Sequence, residues 1–190
     1  MNPKTNGSYR ADALYKEALS LARGGRRADL PRCLALLQAA SDRGDPKATY
    51  AIATWYLHGH VVRKSFKKGF GLLYAIRDSR IRGALFDLAL CFESGRGVEK
   101  NLRMALKYYK KAASLGDADP KCELARCLYY GIGVSRNQKA AAHWYRRAAR
   151  QGHRDAQLAL SYLYERGLGV RSSRRWSDYW HSKATSANQR

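Results

Sequence analysis

Apolar residues in the middle of the chain fall at Ala84, Leu88, Ala89 and Phe92, a spacing that gathers them on one helical face. Gly95 and Gly97 interrupt the pattern, as glycine accepts the positive φ of a helix exit and a tight turn. Asn101 follows as an N-cap candidate, and Ala105, Tyr108, Tyr109, Ala112 and Ala113 line one face of a second predicted helix that Gly116 closes. The whole order recurs every 36 residues. Cys91–Val98 returns as Cys127–Val134 and again as Leu163–Val170. A fixed period of roughly 20–50 residues marks a repeat architecture, in which each unit buries its apolar face against its neighbours.

Other columns keep the register. The cap column reads Asp29, Ser65, Asn101, Asn137, Ser173, and the closing column reads Gly44, Arg80, Gly116, Gly152, Asn188. A small-residue column, where paired helices approach, reads Ala40, Ile76, Ala112, Ala148, Ala184. These predict helix pairs over 12–47, 48–83, 84–119, 120–155 and 156–187, forming one repeat domain over 12–187. Residues 1–11 are read as a leader and 188–190 as a tail. Repeat two departs: Val61 replaces the second turn glycine, Gly69 and Gly71 lie inside the second helix, and Arg80 replaces the closing glycine. It is expected to be the most distorted unit, by drift or because it forms a reshaped binding segment.

Composition adds one strong constraint. Thirty-six Lys and Arg against 15 Asp and Glu give a net charge of +21, which attracts acidic proteins, nucleic acid or anionic surfaces. The charge is spread over the repeats and is not a basic tail. Cys33, Cys91, Cys122 and Cys127 show no C-x-x-C spacing and are read as buried structural thiols of a reducing compartment. His58 and His60 lack further ligands nearby, so no metal site is expected. Neither a Ser/His/Asp nor a Cys/His arrangement is present, and no cofactor or catalytic activity is expected. No apolar run approaches a membrane span of ~20 residues. The first ten residues are polar, unlike a signal peptide. With Met1 as the natural start, the expected location is the cytoplasm.

The pattern A-x-x-x-L-[GA]-x-x-[YF]-x-x-G-x-G-V, a cap, then A-x-x-[YW]-Y-x-[KR]-A-A-x-x-G resembles the Sel-one-like repeat family, a branch of the tetratricopeptide-type α-solenoids. Repeat three carries it through Ala84, Leu88, Gly95, Gly97, Val98, Tyr108, Tyr109 and Lys111, and repeat four through Leu124, Gly131, Gly133, Trp144, Tyr145 and Arg147. The resemblance implies an all-α fold, a right-handed α-solenoid of about five antiparallel helix pairs. It also implies an adaptor that holds another protein, as in signalling, envelope assembly or toxin–immunity pairs.

In that geometry first-helix residues line a concave face. The columns are Leu14, Tyr50, Phe86, Cys122, Leu158; then Ala18, Thr54, Leu90, Arg126, Tyr162; then Leu21, Leu57, Glu93, Tyr129, Glu165. Of these, Tyr50, Thr54, Phe86, Leu90, Arg126, Tyr129 and Tyr162 are the candidate apolar partner-binding residues. Some are equally readable as packing between repeats.

The second helices carry the cations: Arg103, Lys107, Lys110, Lys139, Arg146 and Arg150, extended by Lys67, Lys68, Arg174 and Arg175. This basic ridge is either a solvated outer face or the seat of an acidic partner. The resulting expectation is a non-catalytic adaptor for an acidic protein, in its sharper form an immunity protein that neutralises a bacterial toxin. Nucleic-acid binding is the alternative. Which face binds, and whether the chain oligomerises, stays open in the sequence.

Overall fold

The structure, a computed structural model, describes residues 3–186, with side chains from Arg10 onward. Among these residues there are ten α-helices and no strand. The chain divides into two compact units, one up to Lys100 and one from Asn101 on. The first unit holds α1 (Pro3–Arg23), α2 (Leu30–Asp42), α3 (Pro46–His58), α4 (Phe66–Ala75) and α5 (Arg82–Ser94). The second holds α6 (Leu102–Ser114), α7 (Ala118–Tyr130), α8 (Gln138–Ala149), α9 (Arg154–Arg166) and α10 (Arg174–Ser186).

Burial follows the predicted apolar stripes. In the first unit Ala18, Cys33, Leu37, Ala40, Ala48 and Ile52 form a core cluster with Leu14, Trp55 and Leu72 packed around it. In the second, Tyr109, Leu124, Leu160 and Leu163 are the largest fully buried side chains besides the sulfur of Cys127. Ala112, Ala148 and Ala184 are also buried, which is the close helix approach their column predicts.

Capping holds at four of the five expected positions. Ser65 accepts from the Lys68 amide at 3.3 Å, Asn101 from Met104 at 3.0 Å, Asn137 from Ala140 at 2.9 Å and Ser173 from Trp176 at 3.4 Å. Each satisfies one of the amides that a helix start leaves without a partner. Asp29 does not cap. It ends a short 3-10 turn, Arg27–Asp29, with helical φ and ψ, and its carboxylate is drawn 2.9 Å from Arg26 Nε instead.

The second turn glycine is required twice over. Gly97, Gly133 and Gly169 have φ of 76°, 68° and 71°. A Cβ there would overlap the carbonyl groups of Phe66, Leu102 and Gln138, the first residues of α4, α6 and α8. Each first-helix exit therefore rests directly on the backbone that opens the preceding second helix. Val61 has no positive φ and cannot take this path.

A column absent from the sequence reading ties successive pairs together. The buried Thr49 Oγ1 lies 2.8 Å from Ser41 Oγ near the end of α2. The buried Gln157 donates to Ala149 O at 3.1 Å, at the end of α8. Lys121, also buried, donates to Gly116 O and, at 2.7 Å, to Gln151 Oε1, while Gln151 donates to Gly116 O at 2.8 Å. Lys121 and Gln157 each supply a donor to a helix end with spare carbonyls, whereas Thr49 donates to Asp45 O at 3.0 Å at the start of its own helix and accepts from Ser41.

Repeat two differs as expected, for identifiable reasons. Helix α4 has ten residues where α6 and α10 have 13. Ile76, placed in the small-residue column, lies just outside it as the C-cap. Gly69 is no idle substitution, because a Cβ there would collide with Leu57 and crowd Ala53 O on α3. Gly71 is exposed with nothing near it. Helix α1 begins at Pro3, within the segment 1–11 read as a leader. Asn188 and the tail at 188–190 lie outside the described residues.

Substitution should separate these glycines in urea unfolding. Gly133→Ala should cost about 3 kcal/mol, combining left-handed strain with a backbone clash. Gly152→Ala, at positive φ but in open space, should cost only about 1 kcal/mol. Gly71→Ala should stabilise by about 0.5–1 kcal/mol, and an equal loss at Gly133 and Gly152 would remove the close-approach argument.

Candidate partner-binding surfaces

In the first unit the apolar candidates lie on α3 and α5. Tyr50 O–H donates to Asp87 Oδ2 at 3.1 Å and its ring end lies against Gly83, which pins it across the two helices. Burial, and then the Asp87 charge, push the Tyr50 phenol well above its ordinary value. Burial also raises Asp87, against the Tyr50 hydrogen bond and the His58 charge, which lower it. Thr54 donates to Ala51 O at 2.8 Å within its own helix. Phe86 is half-buried, and Leu90 is exposed at the edge of a small cleft of about 120 Å³ shared with Asp87 and Phe66. Lys64 and Arg96 lie over the Phe66 ring at 4.8 and 5.4 Å.

In the second unit the candidates lie on α7 and α9. Arg126 Nε donates to Glu123 at 2.7 Å, so its charge is locally matched. Tyr129 hydrogen-bonds with Tyr162, and burial is the main cause raising its phenol. Tyr130 packs edge-on against Tyr129, with centroids 4.8 Å apart, and is 61% exposed, more than any other large apolar side chain among the described residues. The structure thus brings Tyr129, Tyr130 and Tyr162 into one aromatic patch. The sequence reading missed Tyr130, although its column holds His58, Ser94 and Arg166 elsewhere and a tyrosine there stands out. Three residues of the lining columns, Ala18, Leu57 and Cys122, are buried and offer no surface.

The cationic candidates are exposed almost throughout. Lys67, Lys68, Arg103, Lys107, Lys110, Lys139, Arg150, Arg174 and Arg175 are all exposed; Arg146 is half-buried and donates to Tyr164 O–H at 3.0 Å. Arg174 lies 3.9 Å from Asp178. Helices α6 and α8 contain no acidic residue. Tyr108, Tyr109 and Tyr145 are buried packing residues, whereas Trp144 is half-buried under Arg147.

A family model described as the Sel1 repeat matches residues 11–45, 46–75, 83–117, 121–153 and 154–188. The chain belongs to the Sel1 repeat family. Proteins of this family generally mediate protein–protein interaction. Among curated proteins, the chain is 33% identical over 87 residues to DAP3-binding cell death enhancer 1 of Rattus norvegicus, spanning 45% of this chain but 16% of that protein.

The fold matches c5321, a protective antigen of uropathogenic Escherichia coli with an SLR fold, at TM-score 0.88 and 25% identity, over 93% of this chain and 38% of that one. It also matches a Sel1 repeat protein from Oxalobacter formigenes at TM-score 0.87 and 21% identity, over 98% and 76% of the two chains. The immunity protein PA5088 from Pseudomonas aeruginosa is similar at TM-score 0.54 and 25% identity, over 98% and 66%. The α-solenoid class expected from the period is the class of these Sel1 repeat structures.

Among the described residues no three His, Cys, Asp or Glu side chains gather so as to hold a metal ion. No helix among the described residues is long and apolar enough to cross a membrane. None of the four cysteines forms a disulfide, and all four are buried. Burial pushes Cys91 up to about 11 and Cys122 up to about 12.

Two outcomes follow for the thiols. In the folded protein at neutral pH they should resist iodoacetamide, and all four should react after denaturation, as a mass shift would report. A thiol held above its ordinary value stabilises the fold fully below that value and loses the contribution as pH rises through the raised one. The urea midpoint should therefore fall between about pH 9 and pH 12.

Proposed function

We propose that this chain is a non-catalytic cytoplasmic adaptor that captures an acidic protein through the cationic faces of its second helices. The observation that carries the reading is the charge segregation: α6 and α8 present exposed Arg103, Lys107, Lys110, Lys139 and Arg150 without one carboxylate of their own. Ordinary solubility needs a net charge of only about 2–8 for a small domain, far below +21. Such a field accelerates encounter with an oppositely charged partner. The tyrosine patch on α7 and α9 supplies the apolar anchors that interfaces favour. Buried cysteines without a disulfide fit a reducing compartment.

The sharper form of this reading is an immunity protein that covers a toxin. It is supported by the likeness to the immunity protein PA5088, together with a field suited to fast capture. Nucleic acid competes for the same charge. Against it, Tyr108, Tyr109 and Tyr145, which lie nearest the cationic rows in sequence, are buried and cannot stack on bases.

Affinity capture from nuclease-treated source-cell extract distinguishes the two. The unmodified chain should retain acidic proteins, and Lys107→Gln/Lys110→Gln/Lys139→Gln/Arg150→Gln should slow their association by about tenfold or more. Loss of all retained material on nuclease treatment, with binding that collapses between about 50 and 200 mM salt, would instead favour nucleic acid. Unchanged capture by the glutamine variant would remove the cationic face from the interface.

A further inference from the structure

Tyr164 continues an aromatic column that Tyr56 and Phe92 hold in earlier repeats, and the junction of α8 and α10 departs from the repeat at Trp176, whose column elsewhere reads Arg32, Lys68, Met104 and Ala140. Here Tyr164 and Trp176 meet. Their rings stack with centroids 6.2 Å apart and planes within 27°. Trp176 remains 47% exposed, so core packing does not account for it. With Lys139, His143, Arg146 and Arg171 these rings line a cleft of about 770 Å³, a size within the ~300–1,000 Å³ of small-molecule sites.

The lining contains no carboxylate. Arg146 is already oriented by its 3.0 Å bond to Tyr164 O–H, and none of the ion pairs among the described residues uses Lys139, Arg146 or Arg171. One carboxylate is matched by one guanidinium. Three permanent cations and an imidazole in one cleft suit a multiply charged group with several acceptor oxygens, which is the character of a phosphate. The half-exposed indole beside them suits a planar ring, because stacking needs a face and no particular hydrogen-bond pattern.

We propose that this cleft binds a nucleoside phosphate, with the phosphate on Lys139, Arg146 and Arg171 and the base against Trp176. A glutamate-rich peptide would answer the charge but leave the indole without a planar partner. The assignment goes beyond capture of a protein and does not depend on it.

Amide NMR of the full chain, titrated with ADP, tests the site. Shifts that saturate at millimolar ADP or below, centred on Gly169 to Ser173, are expected, with weaker responses to adenosine and to inorganic phosphate alone. Trp176→Ala and Arg146→Gln should each weaken ADP by about tenfold or more, and Trp176→Phe should retain it. Circular dichroism checks that the variants fold. Should Trp176→Ala fail that check, Arg171→Gln, on an exposed turn residue, takes its place with the same loss expected.

A short oligothymidylate saturating the same amides also supports the assignment, and the tighter of it and ADP shows whether the nucleotide is free or part of a strand. Absence of shifts with ADP would overturn the proposal. So would equal affinity for inorganic phosphate or for a glutamate-rich peptide, or binding unchanged by Trp176→Ala or its Arg171→Gln substitute.

Discussion

Backbone resting on backbone sets the spacing of this molecule. At Gly97, Gly133 and Gly169 a first-helix exit lies so close to the start of the preceding second helix that a single carbon atom would not fit. The residues beneath them are Phe66, Leu102 and Gln138, which share no chemistry except a peptide group. The contact is therefore indifferent to side-chain drift, and the same spacing recurs while the outer faces change. Where Val61 replaces the glycine the neighbouring helix is short and its pairing relies on another glycine, Gly69, pressed against Leu57.

The fold also sorts charge. Carboxylates such as Asp87, Glu123, Asp155 and Glu165 lie on first helices, and α6 and α8 have none. Among the first-helix acids, Asp87 and Glu123 are engaged by Tyr50 and Arg126. Apart from the half-buried Arg146, the cations of α6 and α8 are exposed. The exposed Tyr130 and Tyr162, by contrast, lie on the first helices α7 and α9.

The parts legible in the sequence are those whose chemistry is local. A cap needs a short acceptor and a tight turn needs glycine, so Ser65, Asn101, Asn137 and Gly133 could be read one column at a time. Asp29 misled because a neighbouring Arg26 competes for its carboxylate, a contact that no column encodes. Ala18, Leu57 and Cys122 were assigned to a surface by register alone, whereas their burial depends on what packs over them. Tyr130 and Trp176 were missed because a periodic reading treats departures from the period as noise, and each of these departures occurs in a single repeat.

The Lys121 network has a further consequence for a chain that nearly repeats itself. Successive units resemble one another closely enough for a segment to dock one repeat out of place during folding. A slip of one unit would bring Leu115 where Gln151 now meets Lys121. The ammonium would then be buried with fewer acceptors, a loss heavy enough to reject the misplaced arrangement. Lys121 thus serves as an address label, telling one otherwise interchangeable unit which neighbour is its own.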